Sequence, residues 1–319
     1  MDEFELIRRF FVREAVDPSV SVGVGDDGAV VVPQADRSLV VVVDTLVCGV
    51  HYPLDFPAAD VGYRALAVNL SDVAAMGGTP RWMTLALTLV EADETWLADF
   101  AGGLFEAASE YGVALIGGDT TRGAQTVISV QLLGDLRPDA VLTRAGAAPG
   151  DDIYVTGTVG DAAGGLALLQ DKSRERSGED AACLLRRFSR PTARVAVGAA
   201  IAGLATAAID LSDGLGTDLA KLLHASGMAG TIDLALLPLS PSLRATFGDE
   251  LAGDFALDGG DDYELCFTAN PTEHARLMDV ARQQGVAVTR IGGVQDGAGL
   301  NCSKDGRTVP YRDRGYRHF

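Results

Sequence analysis

Apolar and polar positions change period repeatedly along the chain, and each change predicts where an element begins or ends. Phe4, Leu6, Ile7, Phe10 and Phe11 recur at helical spacing and predict an amphipathic opening helix. Two strand-like runs follow at Ala29–Val32 and Leu39–Val43. Pro57 then precedes a helix predicted over Ala58–Met76 and stopped by Gly77-Gly78. A strand near Trp82–Val90, a helix over Glu94–Tyr111, and strands around Val113–Ile116 and Thr126–Leu133 come next. Arg137 to Asp151, RPDAVLTRAGAAPGD, has the prolines and glycines of a domain connection. A second series holds a strand Ile153–Thr156, a helix near Asp161–Gln170 and a polar loop DKSRERSGED. Helices are predicted over Cys183–Phe188 and Ala193–Ala205, a strand over Ala208–Leu211 and a helix over Leu215–Ala225. Strands at Thr231–Leu236 and Tyr263–Thr268 follow, and LNCSKDGRTV reads as a hairpin turning at Asp305-Gly306. Strands and helices alternate in both halves, which predicts an α/β or α+β protein. The expected division is residues 1–137, a linker at 138–150, and residues 151–319; no solenoid-type repeat is present.

Composition narrows the class. The chain has 319 residues, 47% of them apolar and 22% charged, as in a soluble globular protein with ample length for a core. No apolar run approaches the ~18 residues of a membrane span, and MDEFELIRRFF does not read as a signal peptide. Cys48, Cys183, Cys266 and Cys302 form no C-x-x-C pair, so reduced thiols in a cytoplasmic protein are expected. The net charge of −18 argues against a nucleic-acid partner, and it repels anionic substrates unless cations intervene. Lys172, Lys221 and Lys304 are the only lysines, and none lies in a glycine-rich loop. A Walker-type phosphate loop is therefore excluded.

Gly23 to Val31, GVGDDGAVV, contains G-x-G-x-x-G, with Asp44 about twenty residues on, where a dinucleotide site wants a carboxylate. Context contradicts that use. AVVVP follows, broken by Pro33, so no helix begins there to face a pyrophosphate, and Asp26 and Asp27 add negative charge. The other aspartates fall into clusters: Asp44 at the end of LVVVVD, Asp72 in AVNLSDVAAMGG, Asp119 in LIGGDTTRG, Asp210 and Asp213 in AIDLSDG, and Asp261 and Asp262 in LDGGDDYELCF. A carboxylate beside an apolar run is costly unless paired or metal-bound. An aspartate near glycine is also an ordinary turn or cap; Asp72 also fits a solvated helix position, Ser212 an N-cap and Asp261 a turn. Carboxylates without clustered Cys or His favour Mg²⁺ or Mn²⁺ over zinc, and Mg²⁺ fills its shell with water and phosphate oxygens. Several such ions over acidic loops suggest a nucleotide polyphosphate bridged by metal. Gly117-Gly118 offers N–H groups to phosphate, and Arg144 is either a phosphate partner or one half of an interdomain ion pair. TGTVGDAAGG is either an anion nest or a place of tight helix–strand packing.

Taken in order, these pieces resemble one family, the thiamine-monophosphate kinases of the PurM-like (AIR synthetase-like) superfamily. They are EFELI, GVGDDGAVV, DTLVCGVHY, ALAVNLSDVAAMGG, LIGGDTTRG, LTRAGAAPGD, YVTGTVGD, RPTARV, AIDLSDGL, GGDDYELCF and GYRHF, and they span nearly the whole chain. The resemblance implies a two-domain PurM-like fold. An N-terminal mixed sheet with helices would bind ATP and Mg²⁺ and join a homodimer, and an α/β domain would follow. It implies ATP-dependent phosphorylation of thiamine monophosphate to thiamine diphosphate, by direct in-line transfer with no covalent nucleophile and no strong general base. Carried over residue by residue, Asp27, Asp44, Asp72, Asp119, Asp210 and Asp213 would bind several Mg²⁺ ions. Gly118, Asp119, Arg144, Ser212 and Tyr111 would contact ATP; His51, Asp261 and Tyr316 would face thiamine monophosphate. The chain departs from the family pattern at Val42 and Val43, where hydroxyl residues are common, at Asp261, where Glu is common, and at Tyr316, where some relatives carry Trp. The competing readings are another ATP-using PurM-like enzyme and a non-catalytic acidic metal- or nucleotide-binding protein.

Overall fold

The computed structural model of the chain describes residues 3–13, 17–171 and 177–315, so Tyr316 lies outside the described residues. The chain divides into two compact units, Met1–Val73 with Gly78–Pro138, and Ala74–Gly77 with Asp139–Phe319.

The first unit opens with α1 (Glu3–Leu6), continued by a π-helical turn over Ile7–Phe11 that buries Phe10 and Phe11. β1 (Val20–Val22) and β2 (Val30–Val31) form a small antiparallel ladder. Then come β3 (Ser38–Val47), α2 (Ala58–Ala75), β4 (Thr79–Leu89), α3 (Glu94–Tyr111), β5 (Ala114–Arg122) and β6 (Val127–Leu136). The sheet order is β3-β6-β4-β5, with β4 and β5 parallel and the other pairs antiparallel. One face holds the buried Val40, Leu46, Leu85, Leu87 and Val130. The other is open: Leu39, Val41 and Val43 are 46%, 53% and 61% exposed. The run LVVVV thus alternates between the two faces, and β3 continues past the expected end at Val43, through Asp44 to Val47. β5 likewise runs on through Asp119 instead of ending before it. The start and stop of α3 follow from capping. Asp93 accepts from the N–H groups of Thr95 and Trp96, and Gly112 takes the left-handed conformation after the last turn.

The second unit contains β7 (Asp152–Thr156), α4 (Asp161–Gln170), α5 (Glu179–Ser189), α6 (Val195–Ile201), β8 (Ala205–Asp210), α7 (Leu215–Ser226) and β9 (Ala229–Asp233). It ends with α8 (Pro241–Asp258), β10 (Leu265–Ala269), α9 (His274–Gln284), β11 (Val288–Gln295), β12 (Gly299–Lys304) and β13 (Arg307–Pro310). Their order is β13-β12-β9-β11-β7-β10-β8, antiparallel except for β9 with β12. β7 and β10 are buried throughout, hence their lack of polar alternation. The hairpin turns at Asp305 (φ 50°) and Gly306 (φ 73°), the left-handed pair expected of Asp-Gly. α8, α9 and β11 were not anticipated. α8 bends at Gly248, which breaks its helical period, α9 is mostly polar, and Gly292-Gly293 interrupts β11.

Candidate active site

In the first unit the candidate residues are spread over several elements. Asp27 is exposed in the connection between β1 and β2, and its N–H donates to Oδ1 of Asp26 at 2.8 Å, so Asp26 shapes the turn. A strand follows Gly28 and no helix opens, which removes the dinucleotide reading. Asp44 is half-buried in β3, Asp72 is half-buried near the end of α2, and Asp119 is exposed in β5. The register places Asp44, Val130, Leu85 and Gly118 in one row across four strands, with Asp119 in the adjacent row on the opposite face. Three interstrand gaps put β3 and β5 about 14 Å apart. The sheet therefore does not bring Asp44 and Asp119 to one ion.

Gly118 has a packing reason for its identity, since a Cβ there would lie 1.9 Å from the carbonyl oxygen of Leu85. Tyr111, the last residue of α3, sits beside Tyr63. Burial first, then Tyr111 and Glu110, pushes the Tyr63 phenol well above its usual range. Tyr63 donates to Glu110 at 2.9 Å. His51 accepts the Val47 N–H on Nδ1 at 2.9 Å, which leaves Nε2–H as the ring's donor. A cavity of about 880 Å³ between Arg13, Ser19, Trp82 and Phe105 is lined by none of the candidate site residues.

In the second unit the loop LSDG is built around a residue that sequence reading missed. Asp218, 1% exposed, accepts on Oδ2 from the N–H groups of Ser212 (3.0 Å), Asp213 (2.9 Å) and Gly214 (3.2 Å). Ser212 is thus not the N-cap; a carboxylate from the first turn of α7 satisfies the open amides instead. Lys221 bridges Asp218 (2.8 Å) and Asp213 (2.5 Å). Burial pushes the Asp218 carboxyl up against the pull of Lys221. Asp210 is buried as the last residue of β8. Arg144 is exposed and, among the described residues, forms no ion pair; its carbonyl accepts from Ser226 at 3.0 Å.

The turn TGTVGD is also taken by an internal carboxylate. Asp262 accepts from Gly160 N (2.6 Å) and Ala162 N (3.3 Å), at the start of α4. Packing reinforces this, because a Cβ on Gly165 would meet the Leu184 carbonyl at 2.2 Å. Glu264, fully buried, accepts from Arg194 (2.6 and 2.5 Å), Arg187 (2.8 Å) and Thr156 (2.6 Å). Burial works against the Arg187 charge, but Glu264, Asp262 and Asp161 outweigh it and push its pKa up. Arg194 of RPTARV and Glu264 of GGDDYELCF thus form a structural ion pair that motif matching alone leaves without a role. An arginine and an acid in apolar surroundings were the available signal.

Six aspartates with no His or Cys among them suit Mg²⁺, which accepts one or two protein carboxylates per ion. They fit as open sites completed by phosphate and water, not as a cage. Among the described residues no group of three His, Cys, Asp or Glu stands close enough to hold a metal ion.

Residues 25–136 match the family described as AIR synthase related protein, N-terminal domain, and residues 148–304 its C-terminal domain. Thiamine-monophosphate kinase of Escherichia coli K12 is 46% identical over 99% of this chain and 98% of its own length. The crystal structure of thiamine-monophosphate kinase from Stenotrophomonas maltophilia K279a is similar with a TM-score of 0.89, at 44% identity, over 97% of this chain and 98% of that one. A structure named "AaThiL complexed with AMPPCP and TMP" matches with a TM-score of 0.79 at 32% identity, over 90% of this chain and 89% of that one. The chain belongs to the thiamine-monophosphate kinase family, within the AIR synthase related proteins.

Proposed function

We propose that this chain transfers the terminal phosphoryl group of ATP to thiamine monophosphate, giving thiamine diphosphate and ADP. The likeness over 90% of the chain to a structure that holds AMPPCP and TMP together carries this reading. The acceptor atom is a phosphate oxygen, already anionic near neutral pH, so the site needs no strong base. In support of the reading, Asp210 and Asp213 stand at and just beyond the end of β8 in the second unit.

In this reading Asp27, Asp44, Asp72, Asp119, Asp210 and Asp213 hold Mg²⁺, which when bound neutralises charge between two polyanions. Gly118, Asp119, Arg144, Ser212 and Tyr111 contact ATP, and the exposed Arg144 guanidinium is available to a phosphate. Nε2–H of His51 donates to the acceptor, and Asp261 and Tyr316 meet its amine-bearing and cationic parts. Residues 1–137 bind ATP and carry the dimer contact, residues 138–150 link, and residues 151–319 form the second domain. The enzyme acts as a cytoplasmic homodimer. Among the described residues no helix is long and apolar enough to cross a membrane.

The test is a turnover assay with ATP and Mg²⁺, offering thiamine monophosphate and thiamine as rival acceptors. Thiamine diphosphate and ADP should form in equal amounts from the first acceptor, and Asp44→Asn should lower kcat by roughly 100-fold or more. Folded protein that makes no product would falsify the assignment, whereas wild-type turnover in Asp44→Asn removes that residue from the metal set alone.

A further inference from the structure

The segment that carries Asp261 has an unusual backbone. Asp261 (φ 69°) and Tyr263 (φ 51°) both lie in the left-handed region, which side-chain-bearing residues occupy only where their surroundings over-determine it. Here the surroundings do. The Asp261 N–H donates to the Ser212 carbonyl at 2.9 Å and the Tyr263 N–H to the Leu211 carbonyl at 2.8 Å. Leu211 N–H in turn donates to the Glu264 carbonyl at 2.9 Å, so this loop and LSDG are laced together. Asp262, between the two left-handed residues, is anchored to the start of α4, and Glu264 is clamped by two arginines and a threonine.

Between these anchors Asp261 stays half-buried, and the Tyr263 hydroxyl donates to its Oδ1 at 3.1 Å. Tyr263 is 8% exposed, so the ring packs while the hydroxyl reaches the carboxylate. A short aspartate has two rotatable bonds, and a bond to one oxygen fixes the plane in which the carboxylate accepts further hydrogen bonds.

We propose that Tyr263 is a positioning residue for Asp261, its hydroxyl holding the carboxylate in the orientation that receives the amine-bearing end of the acceptor. The inference rests on the reading of Asp261 as an acceptor contact.

Tyr263→Phe keeps the ring and deletes the hydroxyl, so it isolates this contact. It should raise KM for thiamine monophosphate about five- to tenfold while kcat and KM for ATP stay within about twofold. Asp261→Asn should raise the same KM further, and the double variant should be no worse than Asp261→Asn alone. An unchanged KM in Tyr263→Phe beside a raised one in Asp261→Asn overturns the positioning role and leaves the reading of Asp261 intact. An unchanged KM in Asp261→Asn overturns that reading itself. Additive losses in the double variant, or a lowered Tm with both KM values raised in Tyr263→Phe, make the tyrosine merely structural and overturn the inference.

Discussion

At Asp262, burial and hydrogen bonding pull in opposite directions. Removal from water raises its carboxyl to about 8, against the Gly160 and Ala162 amides and Arg187, which pull it down, while Asp161 adds to the rise. Such a group binds a proton in the folded chain up to about 8 but loses it near 4 when unfolded. Between those values the folded state holds more protons, so this contribution is full below about 4 and is lost as pH rises toward 8. The slope is at most about 1.4 kcal/mol per pH unit for one proton. Asp262→Asn carries no such proton. Urea unfolding at several pH values between about 5 and 8 should show the stability advantage of wild type over the variant shrinking as pH rises. A pH-independent difference would mean that Asp262 is ionised throughout. The sequence put Asp262 in one cluster with Asp261, and the resemblance gave a role to Asp261 alone. Adjacent aspartates have opposite fates only once the loop's contacts are known. Asp218 was invisible for a related reason: its spacing is that of any acidic first turn, and the three amides it binds come from the folded loop.

At the scale of elements, α2 and α3 were legible because their sequences combine a helical period with visible stops: Pro57 and Gly77-Gly78 for one, Asp93 and Gly112 for the other. The role of the glycines inside them shows only in the structure. Gly62 and Gly103 meet the partner helix so closely that an added Cβ would lie 2.0 Å from the Phe100 carbonyl and 1.8 Å from that of Ala59. Each glycine admits the other helix's backbone, at the start of a stretch, Val61 to Ser71, in which every residue is buried. Gly62→Ala should therefore force the helices apart and destabilise the fold by roughly 1–3 kcal/mol or more, read as a lower urea midpoint with unchanged slope. Little or no loss would show that the crossing yields easily. The ends of β3 and β5 were misread because valine runs and Gly-Asp pairs look alike whether a strand stops or continues. Only the partner strands decide the matter: the register with β6 carries β3 past Asp44, and that with β4 carries β5 past Asp119.

For the molecule as a whole, the open face of the first sheet is the feature that asks for a partner. Leu39, Val41 and Val43 stand exposed on one face of β3, and the same face carries Thr45, Ser129, Ala86 and Asp119 across the sheet. An apolar stripe of this kind on a chain of net charge −18 is a liability unless covered. A second copy is the occupant we propose, because β3 and β5 are the two edges of the sheet and a facing sheet supplies matching aliphatic side chains. Pairing would also set Asp119, which shares this face, against the second copy, while Asp44 lies on the opposite face. Val41→Glu places a charge in the middle of that stripe without touching a candidate ligand. Sedimentation should show a dimer for the wild type, and a dissociation constant raised at least about 100-fold in the variant. Turnover should fall with the dimer fraction and recover as protein concentration rises. A monomeric wild type with full activity, or a Val41→Glu dimer of unchanged affinity, would leave that face to another partner and return the whole site to one chain.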